Sequence, residues 1–568
     1  MSLAGIIIGF VSRQSASRFE KATHDPVNVQ RAKMLSLVSR NAGTEYGKRY
    51  GFAAIKTVED YQQQVPLVGY EDIKADMERV TRGAKNVFTA EDPLLFAQTS
   101  GTTGDPKFIP VTPTCRGRDH SDQMRAWLFH ARRSHPDIFR GKVMSMVSPA
   151  VEGHTEAGIP FGSTSGMMYR DMPGIVKSLY SIPYEVFEIE DYQAKYYAMM
   201  RIGLEQNVTL ITTANPSSVI KLLEKANEFS EDLIRDIRDG TLKRDLQIEG
   251  GIRALLERSM RANPSRAQAL EQARSRRDGV LKPGDYWPRM AMIGCWKGGT
   301  VGHYLDRFPS WFDPDGRRPI PVRDMGYLSS EARGSIPLSD EDSRGVLTVA
   351  TNFYEFVEAD ELESKRDDPQ SWRFLTVGDL QQGKDYYIFV STTGGLYRYD
   401  INDVIQPVGR YNDTPEIVFV RKGRGMTNLT GEKVSVNQII SVVQSASKET
   451  GAIPAHFKAE ADVEDMRYIF RVEFANSIED TQLRAFLAAL DADLKGLNIE
   501  YKAKRDSSRL GGPVLHVMRD GWYDRHRREQ VASGKRAFQA KTEVLSGVKT
   551  DTQFIQPEVE RIVEMDQG

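Results

Sequence analysis

The sequence predicts an α/β protein of two domains, and three observations lead there. Its 568 residues are more than one simple core comfortably holds. From residue 93 to about 420, short β-branched runs alternate with helical stretches. After Arg421 the pattern condenses into a small α+β set. The larger domain is therefore placed at 1–420 and the smaller at 421–568.

Taken in order, residues 28–40 read as a helix, with Met34, Leu35, Leu37 and Val38 clustered before the turn-rich Asn41-Ala42-Gly43. A strand over Pro93–Thr99 leads into the run TSGTTGDPK, and the β-branched FIPVT that follows predicts a second extended segment. Val208–Pro216 reads as a buried strand, and Ser217 or Ser218 is expected to cap the helix carrying Val219, Ile220, Leu222 and Leu223. Ile252–Arg277 is helical with a break at Asn263-Pro264. Strands recur near 290–294, 346–353, 386–390 and 417–420.

Arg421–Thr427 is polar and glycine-bearing, as a hinge would be. The smaller domain then opens on a helix over Asn437–Lys448 that stops at Gly451. Strands follow at 456–460 and 468–474, and alternation in the second predicts one better-buried face. A helix with Leu483, Phe486, Leu487, Leu490 and Leu494 on one stripe precedes a last strand at 514–518.

Composition narrows the function. Hydrophobic residues are 40% and charged residues 27%, ordinary for a globular chain. Lys plus Arg (76) nearly balance Asp plus Glu (78), so neither a nucleic acid nor a membrane surface is an expected partner. The only cysteines, Cys115 and Cys295, stand outside any metal-ligand or disulfide spacing and suit a reducing compartment. The apolar opening Leu3–Phe10 is far short of the ~20 residues of a spanning helix, and a cytoplasmic protein is the expectation.

Thr99 to Lys107 is the strongest local signal. Its backbone N–H groups and hydroxyls could surround phosphate oxygens, with Lys107 adding a point charge. The spacing is not that of a Walker A loop, and no helix follows. Taken alone, the run reads equally as a flexible surface turn.

The run does not stand alone. It resembles the phosphate-binding motif of the acyl-adenylate-forming enzymes, and further segments are similar to the GH3 family of acyl acid–amido synthetases. These are NAGTEYGKRYGF (41–52), YWPRMAMIGCWKGGTVGHY (286–304), GYLSSE (326–331), TNFYEF (351–356), GLYRYDINDVIQPVG (395–409) and GWYDRHRREQVASGKRAFQAK (521–541). Each is weak by itself; so many in order, nearly end to end, carry the resemblance.

The resemblance implies a large adenylate-forming N-terminal domain with parallel-rich sheets and helices, followed by a small mobile α+β domain. It implies a ligase that activates a carboxylic acid as acyl-AMP with ATP and Mg²⁺, then conjugates it to an amine, an amino acid first among them. Thr99, Ser100, Gly101, Thr102, Thr103, Gly104 and Lys107 would hold phosphate oxygens. Tyr327 would lie against adenine, with the hydroxyls of Ser329 and Ser330 near the nucleotide and Glu331 on Mg²⁺. Asp403 would accept the ribose hydroxyls, with Asp400 its rival. Trp296–Gly299 would lie near the α-phosphate or acyl carbonyl, or simply end a strand, and Arg421 or Lys422 would touch ribose or phosphate at the hinge. Lys541 would be the mobile catalytic lysine that stabilises developing negative charge.

Three departures set the chain on a distant, bacterial-type branch. Asn402 stands where many relatives have glycine, Leu328 replaces a smaller residue, and GDPK replaces a glycine-rich ending. His154 and His303 form no triad pattern, and the acid pocket is expected to draw on residues 150–170 and 212–223. Transfer to coenzyme A, and a nucleotide-binding relative without turnover, are the alternative readings.

Overall fold

The computed structural model describes residues 3–565 apart from 100–106, 299–303, 366–367, 424–425, 428, 430–431, 433, 463, 499–500, 503–504, 506–509, 533–543, 548 and 551–554. Contacts divide the chain into two compact units, Met1–Phe419 and Val420–Gly568.

The first unit opens on the helices Leu3–Ala22 and Pro26–Asn41; Asp25 caps the second, accepting from Asn28 N, and Pro26 supplies its first turn. Three sheets follow. Leu95–Thr99 and Lys107–Val111 form an antiparallel hairpin whose last pair is Thr99 with Lys107, and Pro160–Gly162 joins it in parallel. The strands Lys142–Ser145, Val208–Thr212, Met292–Gly294 and Val322–Arg323 form an all-parallel sheet, and Val208–Leu210 are buried in it as the sequence requires of such strands. The third sheet has six strands in the order 353–358, 386–391, 399–411, 414–422, 345–347, 335–336. Its described pairings are antiparallel, in contrast to the all-parallel sheet. Among the described residues no helix is long and apolar enough to cross a membrane.

Local expectations divide by how much tertiary structure decides. Asn263 caps the helix Pro264–Ser275, so the break lies where the Asn-Pro pair put it. The helix begins at Pro216, so Ser217 and Ser218 lie in its first turn and not at its N-cap position. The run 346–353 is two strands, Gly345–Leu347 and Phe353–Glu358, parted by a turn in which Thr351 N bonds Thr348 O. Of the segment 421–427 read as hinge-like, Arg421 and Lys422 are the last residues of the strand Thr414–Lys422.

In the second unit Ser435 and Gln438 form a capping box at the start of Val436–Thr450, and Gly451 ends it at φ 71°. That helix and Asp480–Leu497 cover one face of a five-stranded sheet, burying Ile439, Val443, Leu483, Phe486 and Leu490 against Tyr468, Phe470 and Val472. The strand Arg467–Phe474 is buried on both faces, against the expectation of one. Glu460, Arg471 and Glu473 form a second, polar interior. Arg471 bridges to Glu460 at 2.8 Å and donates to His516 Nδ1 at 2.8 Å, while Glu473 accepts from Gly521 N and Tyr523 N. A final strand, Val559–Glu564, lies antiparallel to Val514–Met518.

Burial alone would raise the Glu460 pKa, but Arg471 and Lys458 hold it down to about 2. The second unit therefore has a stabilising carboxylate whose contribution is complete above the ordinary glutamate pKa and is lost as pH falls toward 2. Protection of 467–474 against hydrogen exchange, relative to the intrinsic rate at each pH, should fall between roughly pH 4.5 and pH 2 by an amount equivalent to roughly 2–4 kcal/mol. Glu460→Gln should flatten that dependence.

Candidate active site

Two sheets of the first unit bring the predicted nucleotide residues together. Leu328 and Arg333 pair across a tight hairpin whose tip is Ser329–Ala332. The Ser329 amide donates to Ala332 O at 2.8 Å, and the Ala332 amide to Ser329 Oγ at 3.1 Å. The Ser329 side chain thus holds the turn itself, leaving Ser330 and Glu331 partly exposed at the tip.

Tyr327 enters the hairpin from Gly326, whose φ of 86° and 2.2 Å clearance to Ser335 O admit only glycine. The Tyr327 hydroxyl donates to Asp403 Oδ2 at 2.8 Å. Its ring stacks on Phe419, centroids 6.3 Å apart at 9°, and a side chain at Gly334 would strike it. Burial, then the Asp403 carboxylate, raise the hydroxyl well above its ordinary value, so it acts as a donor. Tyr327 is 8% exposed, and its ring is already largely enclosed by protein.

Asp403 is aimed by a bulge. Asp400 pairs with Phe389 and Asp403 with Ile388, leaving Ile401 and Asn402 as the extra residues. Asn402 has φ 54°, a left-handed conformation that asparagine tolerates as glycine does. Asp400 instead accepts from Asn402 N at 2.7 Å. Of the two aspartates, Asp403 is the one on Tyr327.

One residue the sequence reading passed over organises the neighbouring loop. Asp324, 3% exposed, accepts from Lys297 N and Gly326 N, each at 2.6 Å, while its carbonyl accepts from Trp127 Nε1. Trp296 closes the arrangement through Nε1 to Gly326 O at 3.2 Å and N to Ala214 O at 2.9 Å. Trp296–Gly298 is therefore a loop tied to the hairpin, and residues 212–214 adjoin it. Burial raises the Asp324 pKa to about 6. A lone Asp before Met-Gly carries no motif; the signal was its position at the end of a buried parallel strand. Asp324→Ala should lower turnover at least tenfold at a stability cost of roughly 1–3 kcal/mol, measured by steady-state kinetics beside thermal melts.

The rest of the predicted set is distributed less evenly. Lys107 ends the hairpin with its ammonium 5.5 Å from the Tyr70 ring centroid, and Tyr70 accepts from Phe108 N. Ser100, Gly101, Thr102, Thr103, Gly104, Gly299, His303 and Lys541 lie outside the described residues, as do the side chains of Thr99 and Arg421. Gly162 and Gly166 pack on the backbone of Ser148–Val151, where a side chain has no room. His154 is exposed. A cavity of about 470 Å³ between the first two helices and the start of Asp122–Ser134 contains none of the predicted residues. Charges on its wall pair among themselves, Lys33 with Asp119 at 3.8 Å and Arg40 with Glu91 at 2.9 Å.

No group of three or more His, Cys, Asp or Glu among the described residues could hold a metal. Glu331, one carboxylate at a partly exposed tip, fits an ion that arrives on phosphate oxygens and keeps its waters.

Comparison with known proteins follows this geometry. Three family models match in order: the GH3 family N-terminal domain over residues 15–316, the GH3 family central domain over 345–422 and the GH3 family C-terminal domain over 437–549. The chain is 22% identical to an indole-3-acetic acid-amido synthetase GH3.4 of Arabidopsis thaliana, covering 89% of this chain and 87% of that one. It is 23% identical to a jasmonoyl–L-amino acid synthetase GH3.5 of Oryza sativa subsp. japonica, covering 90% of each. Its fold matches that of a GH3.15 acyl acid amido synthetase with a TM-score of 0.84 at 20% identity, over 97% of each chain.

Proposed function

The chain belongs to the GH3 family, and on that premise we propose that it activates a carboxylic acid as acyl-AMP and conjugates the acyl group to an amino acid. The observation that carries the reading is the buried Tyr327–Asp403 pair, which joins two separate family segments at one point 2.8 Å apart.

ATP is the substrate this pair would meet. Asp403 accepts the ribose hydroxyls, and Tyr327, bound to the same carboxylate and backed by Phe419, orients it and borders the adenine. The Thr99–Lys107 hairpin holds the phosphates, and Glu331 would ligate a Mg²⁺ ion, whose charge neutralises phosphate oxygens. A carboxylate oxygen of the acid attacks the α-phosphorus and pyrophosphate leaves. The amine then attacks the acyl carbon, the bond to the bridging oxygen breaks, and AMP departs. Lys541 stabilises the charge that develops in the first step, and residues 421–568 turn as a body between the two. Auxin-like and jasmonate-like acids are the substrate class named by the relatives, conjugation to amino acids the shared chemistry. Both cysteines are free and buried, in keeping with a cytoplasmic setting.

Pyrophosphate release from Mg-ATP is the test, with benzoate, indole-3-acetate, jasmonate and hexanoate, each alone, with pooled amino acids, and with coenzyme A. Acid-dependent release and an amide product are expected. Release that requires coenzyme A and yields a thioester would replace the amide reading, and no release with any acid despite ATP binding would remove the activity.

A further inference from the structure

The hairpin that carries Ser329, Ser330 and Glu331 ends on a cation that no carboxylate answers among the described residues. Arg333 donates from Nε to His120 Nδ1 at 3.0 Å, and neither residue has an ion-pair partner among the described residues. The backbone of Arg333 is fixed, because its carbonyl accepts from Thr348 Oγ1 at 2.8 Å and from Tyr354 at 3.4 Å. The pairing of Arg333 with Leu328 thus fixes its backbone two residues beyond Glu331.

The surroundings make this cation unusual. His120 is 3% exposed, and burial, then Arg333 itself, hold its pKa down to about 3, so the imidazole is neutral. Since Nδ1 accepts from Arg333, the ring proton is on Nε2. Cys115 is a buried thiol that burial keeps protonated. The adjacent Asp119 is committed elsewhere, to Lys33 and to the Thr393 hydroxyl. The guanidinium is charged at neutral pH. This partly buried guanidinium has only a neutral imidazole beside it and no carboxylate partner among the described residues, and a planar anion would answer it.

The geometry points to Arg333, positioned by His120, as the group that binds the carboxylate of the acid substrate beside the Ser329–Glu331 turn. This rests on the reading of the chain as acid-activating. A carboxylate is preferred over a phosphate because one cation beside neutral groups matches a single negative charge. The triphosphate, with several, is matched by the Thr99–Lys107 hairpin and the ion on Glu331. A planar carboxylate also fits a guanidinium fork in two parallel bonds, which an ammonium cannot make.

Acid-dependent ATP–pyrophosphate exchange with benzoate and hexanoate, in wild type, Arg333→Met and Arg333→Lys, tests it. Arg333→Met should raise the KM for the acid about 10–100-fold, the size of a lost charge-assisted bond, and leave the KM for ATP within about threefold. Arg333→Lys, keeping charge but not fork, should raise the acid KM severalfold. An unchanged acid KM in either variant, or a rise confined to ATP, overturns the assignment. If Arg333→Met does not fold, Arg333→Lys carries the same test. Absence of exchange in wild type with either acid is a separate failure, one that removes the acid-activating reading itself.

Discussion

Lys541→Ala should slow acyl-adenylate formation by at least about 10²-fold, comparable to deleting one oxyanion donor. The lysine lies outside the described residues, but the chain just beyond it is anchored. Leu545–Ser546 pair in parallel with Ala459–Glu460, and Thr550 N donates to Glu460 Oε2 at 3.1 Å. On the proposed function, Lys541 stabilises the charge that develops in the first step. The loss should therefore fall on the first half-reaction, with ATP binding nearly unchanged and aminolysis of supplied acyl-AMP much less affected. Single-turnover pyrophosphate formation measures it, and a near-wild-type burst would remove Lys541 from the mechanism.

Arg398→Met should destabilise the first unit by about 3–5 kcal/mol, the cost of stranding a buried charge. Arg398 lies in a segment that the family resemblance ties to nucleotide binding, yet it is 4% exposed and serves the fold. Its Nε lies 3.0 and 3.1 Å from the two oxygens of Glu355, and its Nη1 donates to Gln62 O at 2.8 Å and Val65 O at 2.9 Å. One side chain thus ties the 353–358 strand to the C-terminal end of the helix Val58–Gln64. Without it Glu355, 1% exposed, is a buried carboxylate with no cation. Denaturant midpoints should fall sharply for Arg398→Met and recover in large part when Glu355→Leu is added. An unchanged midpoint in the single variant would contradict the account.

The contrast between Arg398 and Asp403 shows how far the sequence could be read. Both stand in one motif, and nothing in their spacing says that one locks a loop while the other meets Tyr327. That division depends on the bulge at Ile401-Asn402, a feature of strand pairing. Elements announced by local chemistry were legible: the Asn263-Pro264 break, the stop at Gly451, and the hairpin around Thr99–Lys107. Elements decided by what packs against them were not. Arg467–Phe474 alternates like a strand with one wet face, but Glu460, His516 and the turn at Gly521 cover its polar side. The Glu331 motif was readable as a word; Asp324, which holds its neighbouring loop, and Arg333, which ends its hairpin, were not, since their meaning lies in partners more than 20 residues away.

The most direct measurement follows oxygen. An acid labelled with ¹⁸O in its carboxylate is incubated with Mg-ATP and an accepting amino acid, and the AMP formed is weighed by mass spectrometry. Attack by the carboxylate on the α-phosphorus predicts one ¹⁸O in each AMP released with the amide. Unlabelled AMP, or label found in inorganic phosphate beside ADP, would contradict adenylation as the activating step.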